Sequence, residues 1–290
     1  MSRVARVLGF AVLAAALVFL GFEFAEHWPA LRAWRPSQGQ VVTLAGLAAI
    51  YAASLFLSAE VWHQIVTHWG PEPRQRTYFS FTVSLVGRYV PGNFAHLLGR
   101  AFYLRGGGLS DGDLGRATLA ELFCYPLAAL IVLSGLAPFL PQTMFGDWTW
   151  AVRALLFAGP ILALVLWALL RKTILPGQPP ARDLVFPVLI AAAFLALLAA
   201  LFATLANLIV PVPFFYTAGA ALFAWLVGYA TPGAPGGLGA REAALVVAMG
   251  GVAPEADLLL AALLFRVTTT AGELACFMAG WPVRRSMHAT

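Results

Sequence analysis

The strongest constraint on the fold is a Gly/Pro-rich polar segment that lies inside a hydrophobic stretch of the chain. Apolar runs at residues 214–227 and 243–253 flank the segment Gly228–Glu242, and neither run reaches the roughly 20 residues that a bilayer requires. Irregular backbone is tolerated at membrane depth only against protein or a water-filled cavity, because its amides and carbonyls would otherwise be unpaired. The sequence therefore predicts a re-entrant hairpin, with a half-helix in, a turn near the midplane and a half-helix out.

A related pattern occurs earlier in the chain. The four residues Gly87, Pro91, Gly92 and Arg100 recur as Gly228, Pro232, Gly233 and Arg241, at a constant offset of 141 (228 − 87 and 241 − 100). Paired interruptions in the two halves of a membrane protein point to a transporter binding site. The alternative is a pair of surface loops between ordinary helices, but the flanking runs are too short for that reading.

The composition places the chain in the membrane. It is 61% hydrophobic and 11% charged, against about 25% charged residues in soluble domains, so we expect a single transmembrane bundle over residues 1–290. The net charge is +5, and most of the arginines lie in short loops beside hydrophobic segments, which indicates orientation and lipid headgroups rather than nucleic acid. The two cysteines and five histidines show no metal-ligand spacing and no enzyme signature appears, so we predict no metal, no cofactor and no enzymatic activity.

The predicted fold is an all-α polytopic membrane protein with about six full transmembrane helices and two re-entrant helical hairpins in an inverted repeat. The predicted spans are Val4–Phe22, Val41–Val66, Thr118–Leu140, Ala151–Leu170, Leu184–Val210 and Leu258–Trp281, with hairpins at Tyr78–Tyr103 and Phe214–Ala253. The first repeat covers about residues 41–140 and the second about 184–281.

Charge supports this topology. Eleven cations then face the cytoplasm: Arg3, Arg6, Arg74, Arg76, Arg105, Arg116, Arg171, Lys172, Arg182, Arg284 and Arg285. Three face outside: Arg32, Arg35 and Arg153. This bias follows the positive-inside rule and predicts cytoplasmic N- and C-termini.

Charged residues remain at predicted membrane depth, where they are costly and usually face a cavity or a partner. They are the arginines Arg88, Arg100, Arg241 and Arg266 and the acids Glu60, Glu121, Glu242 and Glu273. Convergent arginines beside a broken helix suit a phosphate. The alternative is internal ion pairing, for example of Arg241 with Glu121 or of Arg266 with Glu242. We expect Glu60 and Glu273 to lie at wet helix ends.

Two further residues have open roles. Asn93 either caps the second half-helix of the first hairpin or binds ligand. His96, one turn before Arg100, either packs or contacts ligand.

Several of these residues resemble a known family. Pro91-Gly92-Asn93 with Arg100, Glu121, Gly236-Gly237-Leu238-Gly239-Ala240-Arg241-Glu242 and Arg266 resemble the transmembrane region of lysylphosphatidylglycerol synthases, a flippase-like family with stand-alone members. The likeness runs from about Val41 to Trp281. The chain departs from the family at Glu121-Leu122, where Glu-Arg is frequent. The soluble aminoacyl-transferase domain is absent, so we expect no lipid aminoacylation by this polypeptide.

The resemblance implies lipid translocation in a bacterial inner membrane. The expected substrate is an anionic phosphate lipid: a polyprenyl phosphate, its sugar conjugate, or aminoacyl-phosphatidylglycerol. The predicted binding residues are Arg100, Arg241, Arg266, Arg88, Glu121, Glu242, Asn93, Gly236, Gly237 and Gly239. In this hypothesis Arg100 and Arg241 grip one phosphate between the hairpins. The alternatives are an intramembrane lipid-phosphate transferase, or an accessory subunit of a separate glycosyltransferase or lipid synthase.

Overall fold

The fold is all-helical over the residues that the computed structural model describes, which are 34–89, 95–139, 147, 149–173, 177–231 and 239–287, without the side chains of 173 and 280–287. Nine α-helices lie in this part of the chain: α1 Gln38–Val66, α2 Arg74–Ser84, α3 Ala95–Leu104, α4 Asp111–Leu136, α5 Thr149–Thr173, α6 Val185–Ala206, α7 Phe214–Ala230, α8 Ala240–Met249 and α9 Glu255–Met287. Short 3₁₀ segments extend α2 at Leu85–Tyr89 and α4 at Ala137–Phe139, and another leads into α6 at Ala181–Leu184.

Five of the described helices (α1, α4, α5, α6 and α9) are long and apolar enough to cross a membrane, which is compatible with a polytopic membrane protein. The sixth predicted span, Val4–Phe22, lies outside the described residues. The helix α4 begins at Asp111, seven residues before the predicted span Thr118–Leu140, and Ser110 caps it: the Ser110 Oγ accepts a hydrogen bond from the Asp113 N–H at 3.1 Å.

The helices follow one another in two similar series. A long helix, two short helices and a long helix occur first as α1–α4 and again as α6–α9, with α5 between them. The long helices α1 and α6 pack against each other, while α4 packs on α7 and α9 packs on α2. Each short helical pair is therefore held by the last long helix of the other series.

The first short pair begins and ends at the same end of the molecule. Arg76, in the first turn of α2, donates from Nη2 to the carbonyls of Leu104 and Arg105 at the end of α3, both at 3.1 Å. The 3₁₀ extension of α2 and the helix α3 approach closely at Gly87, where an added Cβ would lie 2.7 Å from the His96 backbone nitrogen. Glycine at the first position of the repeated motif is thus required by backbone-to-backbone contact.

The second short pair also begins and ends at one end, opposite to the first. The Tyr216 hydroxyl at the start of α7 donates to the Ala248 carbonyl at the end of α8. The start of α7 lies beside the end of α4, since the rings of Phe139 and Phe215 stack at 4.5 Å. The end of α4 is the end remote from Arg105 and the start of α2. We call the end with Arg76 and Leu104 the first face and the end with Tyr216 and Ala248 the second face.

Two long helices contain a proline, and each is compensated in the same way. Proline lacks an N–H, so the carbonyl four residues earlier loses its helical donor. In α4, Pro126 frees the carbonyl of Leu122, which accepts a hydrogen bond from the Tyr229 hydroxyl of α7 at 3.1 Å. In α5, Pro160 frees the Leu156 carbonyl, which accepts from the Ser134 Oγ of α4 at 2.6 Å. Neighbouring helices thus supply the donors that lipid cannot supply.

Candidate functional site

A small, partly open pocket lies between α6, α7, α8 and α9, and its empty volume of about 320 Å³ includes open solvent. Its charged lining consists of Arg241, Glu242 and Arg266, and the rest is apolar, including Phe202 and Phe265. Arg266 lies 11 residues after Glu255, at which α9 begins. At 1.5 Å per residue the pocket is therefore about 16 Å from the second face. A few charges in an otherwise apolar cleft are typical of a ligand site.

Arg241 is the distinctive residue of this pocket. Its guanidinium carbon lies 6.0 Å from the centre of the Phe265 ring, within the range of a cation–π contact. The guanidinium of Arg241 interacts electrostatically with the charged groups of Glu242, Arg266 and Glu273. It forms no ion pair or hydrogen bond with any other residue that the structure describes. An arginine without such a partner has its planar set of N–H donors available for a carboxylate or phosphate.

Glu242 holds the start of α8 in place and pairs with α9. Gly239 precedes α8 with φ of +76°, a left-handed conformation that favours glycine, and its N–H donates to the Glu242 Oε2 at 2.8 Å. The other carboxylate oxygen of Glu242 lies 3.1 Å from the Arg266 Nη2. The predicted alternative of an Arg266–Glu242 ion pair is confirmed. Because Glu242 caps the helix itself, Arg241 rather than the helix terminus provides the positive charge for a ligand.

Arg88 belongs to a second polar cluster, which joins the first short pair to α9. Its Nη1 lies 2.6 Å from the Glu273 Oε1. Glu273 also accepts hydrogen bonds from the hydroxyls of Tyr51 at 2.9 Å and Tyr89 at 2.7 Å. The expectation that Glu273 lies at a wet helix end is wrong, since only 7% of this residue is exposed.

Glu273 is the functional candidate that the sequence reasoning missed. It lies seven residues after Arg266 on the same helix, and residues two turns apart share a face. This seven-residue spacing is the feature of the sequence that could have predicted that Glu273 and Arg266 lie on the same face of α9.

Arg100 and Glu121 form a buried ion pair between α3 and α4, and each residue is only 1% exposed. The Arg100 guanidinium carbon lies 4.6 Å from the Phe81 ring centre and 5.6 Å from that of Trp62. Glu121 thus pairs with Arg100 and not with Arg241. His96, one turn earlier on α3, places its Nδ1 in the interior as well.

The predicted site residues therefore fall into separate groups. Arg241, Glu242 and Arg266 share the pocket with Gly239 beside it, whereas Arg88 and the Arg100–Glu121 pair lie outside its lining. Asn93, Gly236 and Gly237 lie outside the described residues, as do the predicted turns of both hairpins. Nothing in the structure tests the prediction that Arg100 and Arg241 bind one phosphate together, and it stays a prediction.

Glu60 has a different role from the pocket acids. It accepts hydrogen bonds from the Tyr78 hydroxyl at 2.6 Å and from Arg74 at 2.8 Å. Arg74 is largely exposed at the first face, with 62% of its side chain accessible. Glu60 thus holds the start of α2 near the end of α1, and it does not line the pocket.

The described part of the chain contains no group of three or more His, Cys, Asp or Glu side chains able to hold a metal ion. Comparison with known proteins finds no matching protein family and no matching curated protein. The resemblance to the synthase transmembrane region stays a prediction that rests on the quoted residues.

Proposed function

We propose that this protein is a lipid transporter that binds a negatively charged phosphate headgroup in the Arg241 pocket. The observation that carries the proposal is the state of Arg241, which lines the pocket without an ion-pair partner among the described residues. The other three deeply placed arginines each pair with a glutamate: Arg88 with Glu273, Arg100 with Glu121 and Arg266 with Glu242. A charge in a nonpolar environment without a partner is costly, and it marks a functional site.

The proposed membrane arrangement has both short pairs as re-entrant hairpins in an inverted repeat. The helices α2, α3 and α8 have 11, 10 and 10 residues, which is too short to span a bilayer. The 17 residues of α7 are followed by α8, which returns to the same face. One pair begins and ends at the first face and the other at the second, and this relationship supports an inverted repeat.

The orientation follows from the distribution of cations. The described Arg and Lys near the first face are Arg74, Arg76, Arg105, Arg116, Arg171, Lys172 and Arg182, and those near the second face are Arg35 and Arg153. By the positive-inside rule, the first face is cytoplasmic and the helical pair that carries Arg241 begins and ends at the opposite face. For a bacterial protein the second face is then periplasmic, and the pocket, about 16 Å from that face, lies near the middle of the roughly 30 Å hydrocarbon core of the inner membrane.

The pocket chemistry fits a phosphate group attached to apolar chains. Arginine binds phosphate through charge-assisted hydrogen bonds in a planar fork. The pocket provides Arg241, with Arg266 beside it, and its remaining lining is aromatic and aliphatic. Exposed apolar side chains on α7 and α8, such as Phe223 and Val247, provide a surface for lipid tails next to the site.

Transport by the purified protein in liposomes tests the proposal. The assay follows the transfer of fluorescent phosphatidylglycerol between leaflets, with wild type, Arg241→Gln and Arg182→Gln compared. A charge-assisted hydrogen bond contributes about 1.5–3 kcal/mol, so we expect Arg241→Gln to slow transport by at least about tenfold. Arg182 is the matched control, because 86% of its side chain is exposed at the opposite face.

Equal transport by wild type and Arg241→Gln would refute the proposal. A change in the mass of the lipid, detected by mass spectrometry after incubation with wild type, would instead identify a transferase. Co-purification of a glycosyltransferase or synthase, with Arg241→Gln still functional in cells, would identify an accessory subunit.

A further inference from the structure

Two of the ion pairs at membrane depth occupy similar places in the two helical series. Each joins the returning short helix to the long helix that follows it: Arg100 of α3 to Glu121 of α4, and Glu242 of α8 to Arg266 of α9. Glu121 lies 10 residues after the start of α4 (121 − 111), and Arg266 lies 11 residues after the start of α9 (266 − 255). The two bridges are thus at the same depth from opposite faces, with the charges exchanged.

The two bridges differ in their surroundings. The side chains of Arg266 and Glu242 are 23% and 22% exposed and line the pocket. Those of Arg100 and Glu121 are both 2% exposed and are covered by Phe81 and Trp62. The pocket side is open and its counterpart is closed.

The buried Arg100–Glu121 ion pair leaves polar atoms without hydrogen bonds. The Nε of Arg100, the Oε2 of Glu121 and the Nδ1 of His96 are buried and have no hydrogen-bond partner within the described residues. An unpaired buried polar atom typically costs about 1–3 kcal/mol. A phosphate has several acceptor oxygens, and the free Nε of Arg100 adjoins the guanidinium nitrogens in the fork that binds phosphate.

We propose that the Arg100–Glu121 pair is a second site for the anionic headgroup, closed in this structure, in which the headgroup displaces the Glu121 carboxylate from Arg100. This inference rests on the proposed function and extends it from one site to two sites used in succession. The Arg88–Glu273 cluster interacts electrostatically with both sites: Glu273 with Arg241, and Arg88 with Glu121 and His96. A displaced Glu121 carboxylate therefore keeps a cation nearby.

The chain contains a native reporter for the opening of this site. It has two cysteines, and Cys124 is fully buried one turn after Glu121 on α4, where opening of the bridge would expose it. In a Cys276→Ala variant, Cys124 is the remaining thiol. Its labelling rate with a water-soluble maleimide is measured in detergent, with and without saturating short-chain phosphatidylglycerol. Short-chain diacylglycerol, which lacks the phosphate, is the control ligand.

We expect phosphatidylglycerol to speed labelling of Cys124 by at least about tenfold, equivalent to about 1.4 kcal/mol, and diacylglycerol to leave it unchanged. Binding is measured separately as the ligand-induced rise in unfolding temperature. Binding with unchanged Cys124 labelling would overturn the second site and leave the proposed function intact. Absence of binding would refute the proposed function itself, and the second site with it.

A pair of variants tests the competition between the carboxylate and the headgroup. Arg241→Gln removes the open site and is expected to weaken phosphatidylglycerol binding by at least about tenfold. Adding Glu121→Ala removes the competing carboxylate, so Arg100 is expected to recover most of that loss. A folded double variant that binds no better than Arg241→Gln alone would contradict the inference. If Glu121→Ala prevents folding, the Cys124 experiment decides, since it keeps every ion pair.

Discussion

Replacing Glu273 with glutamine should cost more stability than any other conservative change on α9. The carboxylate accepts three short hydrogen bonds, from Arg88 at 2.6 Å, Tyr89 at 2.7 Å and Tyr51 at 2.9 Å. Three charge-assisted bonds at about 1.5–3 kcal/mol each give an upper bound of about 4.5–9 kcal/mol. Measured losses from breaking buried ion pairs are about 3–5 kcal/mol. The side chain of Arg88 is 25% exposed, so we expect the lower part of that range, about 3 kcal/mol.

The free energy of unfolding in detergent, measured by chemical denaturation, provides the test. A double-mutant cycle with Arg88→Gln isolates the pair, because the double variant leaves no unpaired charge and should lose much less than the sum of the single variants. Glu255→Gln is the matched control, since Glu255 is exposed at the start of α9. A loss below about 1 kcal/mol for Glu273→Gln, or additive losses in the cycle, would refute the role assigned to this cluster.

Two further predictions concern the packing that positions the pocket. Tyr229→Phe removes the donor to the Leu122 carbonyl and should destabilise the protein by about 0.6–1.7 kcal/mol, measured by the same denaturation assay. The loss should nearly vanish in a Pro126→Ala background, where the helix supplies its own donor, and an equal loss in both backgrounds would contradict this explanation. Gly87→Ala should cost about 1–3 kcal/mol, because its Cβ would lie 2.7 Å from the His96 nitrogen. An unchanged unfolding temperature for Gly87→Ala would show that the backbones at Gly87 and His96 are not in contact.

The five long apolar helices of the described residues, and the interruption of two segments into shorter helices, were predictable from sequence, because membrane thickness fixes the length of a span and Gly/Pro-rich segments interrupt it. The helix α6 at Val185–Ala206 agrees closely with its predicted range, Leu184–Val210. The two proline compensations were not predictable. Tyr229 and Ser134 reach carbonyls on other helices, and the sequence does not show which helix faces which.

The ion pairs were predictable only in part, for the same physical reason. Sequence position gives the depth of a charge but not its direction around the helix axis, so several partners at one depth compete. The Arg266–Glu242 pair was anticipated, whereas Glu121 pairs with Arg100 because α3 leads directly into α4 and packs on it. The burial of Glu273 depends on the contact of α9 with α1 and α2, a tertiary feature that local sequence does not carry.

The hydroxyl that compensates Pro126 restricts how the pocket can change shape. Separating α7 from α4 would leave the Leu122 carbonyl without a donor in a nonpolar medium, at the cost of about 0.6–1.7 kcal/mol expected for Tyr229→Phe. The bond from Ser134 to α5 extends this rigid unit to three helices. We therefore expect α4, α5 and α7 to move as one body, of which α7 lines the pocket. Widening of the pocket is then expected at α8 and α9, where the partly exposed Arg266–Glu242 ion pair is the weaker restraint.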